Sequence, residues 1–302
     1  MQARLIAYPP EDAALIRLIG PGDVIDVGRD PVSGLVLDHS SVSRAHARLH
    51  GAADHFRLLD LDSKNGSFVD GFRCRDIRLP ASCWLRFGDV YCELVPVSEA
   101  ELASAETGLQ QRRLQATAHT ARIQGLTRLD DLLEATLRAV LELAQCERGF
   151  VLLAASDGTT ADWTVRSCLS LEPAALAGRE FSGSVGAVQQ AIRQHRPVIA
   201  NDVSRVGWLA RRDSVVMAGI SALACLPLID GDRILGALYV DRLSHGPALS
   251  TLDVELLKAF TENAAVWISA RRASEVLDAR AKSLPDWGRI VAAHPLAAFG
   301  DA

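Results

Sequence analysis

The chain has 302 residues, 49% of them hydrophobic and 23% charged, with a net charge of −5. That length points to about two domains, each large enough to bury its own core. These proportions exclude wholesale disorder and a collagen-like chain, and the acidic balance argues against a whole-chain electrostatic grip on nucleic acid or an anionic membrane.

Residues 1–97 read as a succession of short strands: LIAY, ALIRLI, DVIDVG, GLVLD, ARLHG, FRLLDLD, SFVDG, WLRFGD and VYCELV. Gly, Pro, Asp, Ser and Asn punctuate these brief apolar or alternating runs, which predicts a β-sandwich or barrel. Composition shifts near Val97. The stretch 98–126 is rich in Ala, Glu, Gln and Arg and poor in β-branched residues, which favours helix. Its apolar residues are sparse (Leu102, Leu109, Leu114 and Ile123), so both a solvated helical connector and part of a short coiled coil fit.

From Leu129 the apolar residues Leu132, Leu133, Leu137, Val140, Leu141 and Ala144 recur at three- and four-residue spacing, the signature of an amphipathic helix. Strands are predicted at 149–155 and 162–169, a helix at 184–195 ended by Pro197, and a short strand at PVIA. The apolar runs 220–229 and 233–241 flank Asp230-Gly231-Asp232, a hairpin signal. A last long helix starts at Ser250, where Asp253 three residues on completes an approximate capping box. Phe260, Trp267 and Ile268 on this helix fit either intrachain packing or a dimer seam. The helix–strand–strand–helix–strand–hairpin–helix order predicts an α+β domain around one sheet.

Six cysteines occur without a C-x-x-C pair or a Cys/His spacing that suggests zinc, so free thiols in a reducing cytosol are expected and no metal. Cys168 and Cys225 fall within predicted strands, where buried structural thiols are expected. No apolar stretch reaches the roughly 18 residues a membrane helix needs. The N-terminus MQARLIAYPP lacks the pattern of a secretory leader. Signatures of a P-loop, a protein kinase and a G-x-S-x-G hydrolase are also missing from the sequence.

Four features of the first half carry chemistry: Gly28-Arg29, Ser43-Arg44-x-His46, Asn65-Gly66 and Asp70-Gly71. All fall at strand ends or turns, where a sandwich displays binding groups. Arg29 offers a guanidinium fork that matches phosphate oxygens. Ser43 offers a hydroxyl and a loop amide, Lys64 a second positive charge, and Asn65 an amide able to hold a peptide backbone. Gly66 and Gly71 permit turn conformations that other residues resist. Taken singly, each has a plain structural explanation: a turn, a solvated arginine, a core histidine, a hairpin Asn-Gly.

In order and spacing, GR, SRAH and SKNGSFVDG make residues 1–97 resemble a forkhead-associated (FHA) domain, a sandwich that reads phosphothreonine. The resemblance implies that Arg29 and Ser43 contact the phosphate, Arg44 borders the peptide groove and Asn65 holds the peptide main chain. It also implies that His46 braces the loop from inside and that Gly28 and Gly66 shape turns. Lys64 departs from the family's commoner threonine; a further phosphate contact, the favoured reading, and a solvent-facing side chain both fit it.

Residues 127–272 resemble a GAF domain on SVGAVQQAIRQHRPVIANDV, GISALACLPLIDGDRILGALYVD and LSTLDVELLKAFTENAAVWIS. The family binds varied small molecules or only dimerises, and its cyclic-nucleotide motif Asn-Lys-x-Phe-Asp-Glu is missing here. Asn201, Asp202, Arg205, Trp208, Arg211 and Arg212 would form a pocket lid for a flat anionic ligand, though a solvated charged loop also fits them.

The two resemblances together imply a bacterial, cytoplasmic, non-enzymatic signalling adaptor with no cofactor. Its expected organisation is an all-β sandwich (1–97), a helical linker (98–126), an α+β GAF domain (127–272) and a tail (273–302). Its expected partner is a phosphothreonine-bearing protein, a Ser/Thr kinase or a kinase substrate, and it is expected to be a homodimer through its terminal helices. A regulatory relative or fragment of an FHA–GAF transcription activator and a GAF-type redox enzyme are the alternatives.

Overall fold

The computed structural model describes residues 2–154, 163–171, 184–206 and 219–283, together with Arg289; the side chains of Arg205 and of 281–283 are not part of the description. The first half holds eleven strands: β1 (Gln2–Tyr8), β2 (Leu15–Ile19), β3 (Val24–Gly28), β4 (Leu35–Val36), β5 (Ala47–Gly51), β6 (Phe56–Asp60), β7 (Ser67–Val69), β8 (Phe72–Cys74), β9 (Asp76–Leu79), β10 (Cys83–Phe87) and β11 (Val90–Val97). They form two sheets, in the orders β2-β1-β11-β10-β7-β8 and β4-β3-β5-β6-β9. Alternation fills the space between them. Leu5, Leu49, Leu58, Leu85, Phe87 and Leu94 are fully buried, as the period of two along a strand requires.

Two of these strands escape the sequence pattern. β8 and β9 carry Arg73, Arg78 and an 80%-exposed Phe72, with Arg75 between them. Both lie at sheet edges, where charge guards against strand addition and masks the apolar alternation.

A single helix, α1 (Glu99–Gln124), follows, started by a reciprocal capping box between Ser98 and Glu101. It packs along two helices of the second half, α2 (Leu129–Ala144) and α4 (Thr251–Ser283). The buried positions of α1 are Ala116 and Ile123, whereas Leu114 is 68% exposed. The linker is therefore not a free connector: Ala116 and Ile123 pack it against its neighbours, and Leu114 faces outward.

The second half centres on five antiparallel strands in the order β13-β12-β16-β15-β14: β12 (Arg148–Ala154), β13 (Trp163–Leu169), β14 (Val198–Ala200), β15 (Ala222–Asp230) and β16 (Arg233–Arg242). Asp230 pairs with Arg233 across a two-residue turn in which Gly231 takes φ +60°, as a tight hairpin demands. Helices α2 and α4 cover one face of the sheet through Leu133, Leu137, Phe260 and Ile268. A further α-helix among the described residues, α3 (Val185–Gln194), is capped by Ser184 and packs with the other face, where Phe150 and Tyr239 stack at 5.0 Å.

Candidate functional site

Three connections converge at one end of the sandwich: β3–β4, β4–β5 and β6–β7. They meet because Gly28 leaves room. A Cβ built on Gly28 would lie 1.9 Å from the Arg44 carbonyl oxygen, so only glycine lets the β4–β5 loop approach this closely. The closure is then hydrogen-bonded: Arg29 N–H donates to the Ser43 carbonyl at 2.9 Å, Asp30 N–H to the Arg44 carbonyl at 3.2 Å, and Arg29 Nε to the Val42 carbonyl at 3.2 Å.

His46 is fully buried beneath this loop. Its Nδ1 accepts from the Ser43 amide at 3.0 Å, and its Nε2 lies 3.2 Å from the Gly66 carbonyl. An amide can only donate and a carbonyl can only accept, so the ring is the neutral Nε2–H tautomer. Burial pushes the His46 pKa below its usual value, against the opposing pulls of the Gly66 carbonyl and Asp60. Phe87 meets the ring edge-on at 5.7 Å.

Residues 61–66 of the β6–β7 connection join the two sheets, so Asn65-Gly66 is not a hairpin turn here. Gly66 takes φ +81° and Asp62 φ +59°. Asp60 organises this loop. Its carboxylate accepts from Ser63 N–H (2.9 Å), the Ser63 hydroxyl (2.7 Å) and the Ser67 hydroxyl (2.5 Å). Burial alone would raise the Asp60 pKa, but these bonds outweigh it and hold the carboxyl below its usual range. Asp60 and Ser63 escaped the sequence reading. The only available signal was an Asp three residues before a Ser in a loop, a common local turn.

The loops are then tied to one another. Lys64 N–H donates to Ser43 Oγ at 3.0 Å, and Asn65 Nδ2 donates to the Ser41 carbonyl at 2.7 Å. The β10–β11 turn joins the group: Asp89 N–H donates to Ser41 Oγ at 2.8 Å, and a Cβ on Gly88 (φ +60°) would meet Ser41 O at 2.4 Å. Arg29, Ser43, Lys64 and Asn65 are therefore neighbours, with Arg44 beside them and Gly28, His46 and Gly66 beneath. Gly71 is elsewhere. With Asp70 (φ +48°) and its own φ of +87°, it makes the β7–β8 hairpin at the far end of β7.

Chemically, the rim is a cluster of cations facing water. Arg29, Arg44 and Lys64 are exposed, and none has an ion-pair partner among the described residues. The Ser43 oxygen accepts from Lys64 N–H, and its own O–H is available as a donor.

In the second half, Asn201 and Asp202 line a cleft of about 460 Å³ with Arg242 and His245. Asn201 spends its amide on the backbone of Leu249, donating at 3.0 Å and accepting at 2.7 Å, and the Asp202 carboxylate accepts from Ser204 N–H at 3.1 Å. The Arg205 side chain, Trp208, Arg211 and Arg212 lie outside the described residues. The sheet holds a buried network unseen in the sequence. Arg148 Nε donates to Asp241 at 2.5 Å and the Tyr239 hydroxyl donates to it at 2.8 Å. Burial raises the Asp241 pKa against the pull of Arg148. Cys225 is fully buried and its thiol pushed up by burial; burial also lifts Cys146 to about 12.

A family model described as FHA domain matches residues 25–88, and one described as GAF domain matches residues 128–268. Among solved structures, the FHA domain of the CT664 protein from Chlamydia trachomatis is 28% identical, with 32% of this chain and 99% of that one covered at a TM-score of 0.29. The FHA-1 domain of Rv1747 from Mycobacterium tuberculosis is 20% identical, covering 32% and 100% at a TM-score of 0.27. A GAF domain from a phosphoenolpyruvate-protein phosphotransferase of Coxiella burnetii is 11% identical, covering 56% and 98% at a TM-score of 0.45. No curated protein matches the chain.

Proposed function

From a chain that carries an FHA domain followed by a GAF domain, we infer a non-enzymatic signalling adaptor that docks on a phosphothreonine-bearing protein. The observation that carries this reading is the cradle of Arg29, Arg44 and Lys64, unpaired among the described residues, around a Ser43 hydroxyl free to donate. A phosphate brings about −1.5 to −2 charges and three acceptor oxygens, which suits such a rim. Charge-assisted hydrogen bonds, each worth about 1.5–3 kcal/mol, supply the affinity. The threonine methyl adds on the order of 0.8 kcal/mol and supplies the choice over serine.

The organisation we propose is an FHA unit over 1–97, a linker over 98–126, a GAF unit over 127–272 and a tail over 273–302. Asn65 holds the peptide main chain once bound. The partner is a Ser/Thr kinase or one of its substrates, in a bacterial cytoplasm. A thiol-based redox role gains nothing from Cys146 and Cys225, since burial disfavours the reactive thiolate.

We also propose a homodimer through α4. Phe260 and Ile268 serve its own core, so the seam lies on the exposed stripe Val266, Ala270, Ala273 and Leu277. Positions eleven residues apart fall within about 20° on a helix, so Val266 and Leu277 share one face. The test of the docking reading is a phosphothreonine peptide-library screen on the full chain, read by fluorescence polarisation. Phosphopeptides that bind Arg29→Ala about tenfold or more weakly than wild type support it; equal affinity for both sinks it.

A further inference from the structure

The β1–β2 turn, residues 9–14, leaves the sandwich and docks on the second half. Ala13 and Ala14 are buried although they belong to a turn. Ala14 N–H donates to the Leu249 carbonyl at 2.8 Å, and the Ala14 carbonyl accepts from Thr251 N–H at 3.0 Å, a one-rung parallel bridge to Ser250. Ser250 is no ordinary loop residue. It caps α4: its N–H and hydroxyl donate to Asp253 Oδ2 at 3.0 and 2.7 Å, and its Oγ accepts from Asp253 N–H at 3.3 Å.

Two further elements reach the same cap. Asn201 grips Leu249 through both ends of its backbone unit. From α1, Arg112 Nε, buried without a hydrogen bond, lies 3.5 Å from Asp253 Oδ1. The sandwich, the linker helix and the segment after β14 thus all meet at the first turn of the helix that crosses the GAF core and continues beyond it.

Strand register puts this turn at the same end of the sandwich as the cradle. Ser67 pairs with Phe87, Phe87 with Val90, Tyr91 with Tyr8, and Ala7 with Leu15. From Ser67 to Tyr8 is three strand spacings, about 14 Å. A continuous set of contacts spans that distance: Asn65 to Ser41, Ser41 to Asp89, and β11 to β1.

We propose that the β1–β2 turn is a latch that couples occupancy of the cradle to the cap of α4. The proposal rests on the phosphopeptide reading of the cradle. The closed latch anchors β1 and, through Asp89 and Ser41, the tie to Asn65, so the closed state presents the better-ordered cradle and binds a phosphopeptide more tightly than the open one. Reciprocity then requires that opening the latch weaken the peptide, although no latch residue lines the cradle.

The experiment uses the full chain and a phosphothreonine peptide selected on it, with the unphosphorylated peptide as control. Ala14→Pro removes the amide of the bridge and Arg112→Ala removes the cation that faces Asp253; a thermal melt checks that both fold. Expected are about a fivefold or greater loss of affinity in each, partial rescue by Arg112→Lys, and peptide-dependent amide-exchange protection of residues 249–256 in wild type. Unchanged affinity in both variants, or protection of 249–256 indifferent to saturating peptide, overturns the latch while leaving the docking reading intact. If wild type binds no phosphopeptide at all, the docking reading fails and takes the latch with it.

Discussion

The Lys64 amide donates to the Ser43 hydroxyl oxygen at 3.0 Å, joining loops 21 positions apart in the chain. One contact thereby fixes three properties of the cradle. It sets the spacing of two loops, it brings the Lys64 backbone against Ser43, and it occupies one lone pair of the serine oxygen while its O–H remains available to donate.

Arg29→Ala removes a guanidinium whose Nε holds Val42 while its remaining N–H groups face water. Binding of a phosphothreonine peptide should fall about ten- to a hundredfold, the equivalent of one or two charge-assisted bonds. Titration by fluorescence polarisation, alongside an unchanged melting curve, checks it. Ser43→Ala deletes both the hydroxyl donor and the acceptor that holds the Lys64 amide, so it should weaken binding by a comparable factor.

His46 gives the sandwich a pH dependence of known sign. Its folded pKa is lowered, so the unfolded chain binds the extra proton more readily. The stability contributed by the neutral ring is complete above about pH 6.5 and is lost as pH falls through the lower folded value. Protonation would set an Nδ1–H against the Ser43 amide. Urea unfolding at pH 7.5 and 5.5 should show this loss in wild type and a flatter response in His46→Gln. His46→Ala should cost roughly 2–4 kcal/mol, from a cavity plus an orphaned amide.

Two glycine substitutions should move stability in opposite directions. Gly28→Ala drives a Cβ into the Arg44 carbonyl and should cost about 2 kcal/mol or more, with loss of peptide binding as the β4–β5 loop retreats. Gly108→Ala lies inside α1 with nothing within 4 Å of the new Cβ, and should stabilise by about 0.5–1 kcal/mol. Thermal melts of the two variants side by side read both.

The dimer seam is tested by Val266→Glu combined with Leu277→Glu. Both side chains are exposed, at 52% and 65%, so the protomer should stay folded. Light scattering should report a dimer for wild type and a monomer for the double variant; a monomeric wild type at high concentration rules the seam out.

Where period and punctuation agree, the sequence was a sound guide. The alternation of β1, β5 and β10, the hairpin at Gly231 and the Ser250–Asp253 cap all follow from local rules. β8 and β9 were illegible because edge strands substitute charge for alternation. Asp60 was illegible for a different reason: its partners are hydroxyls and amides whose convergence depends on a loop path no periodicity encodes. Likewise Phe260 and Ile268 read as possible seam residues until the core claimed them. The surface stripe of α4 contains two alanines, which carry little weight in an apolar pattern. The meeting of Ala14 with Ser250 joins positions far apart in the chain, and neither residue type advertises it.

The unbroken run of α4 from Thr251 to Ser283 has a mechanical corollary. At 1.5 Å per residue, 33 residues make a rod about 50 Å long. A tilt of about 5° at one tip swings the other by about 4 Å, nearly a full strand spacing. A disturbance too slight to notice among a few backbone bonds therefore becomes, at the distal end, a displacement large enough to part or join two protein surfaces.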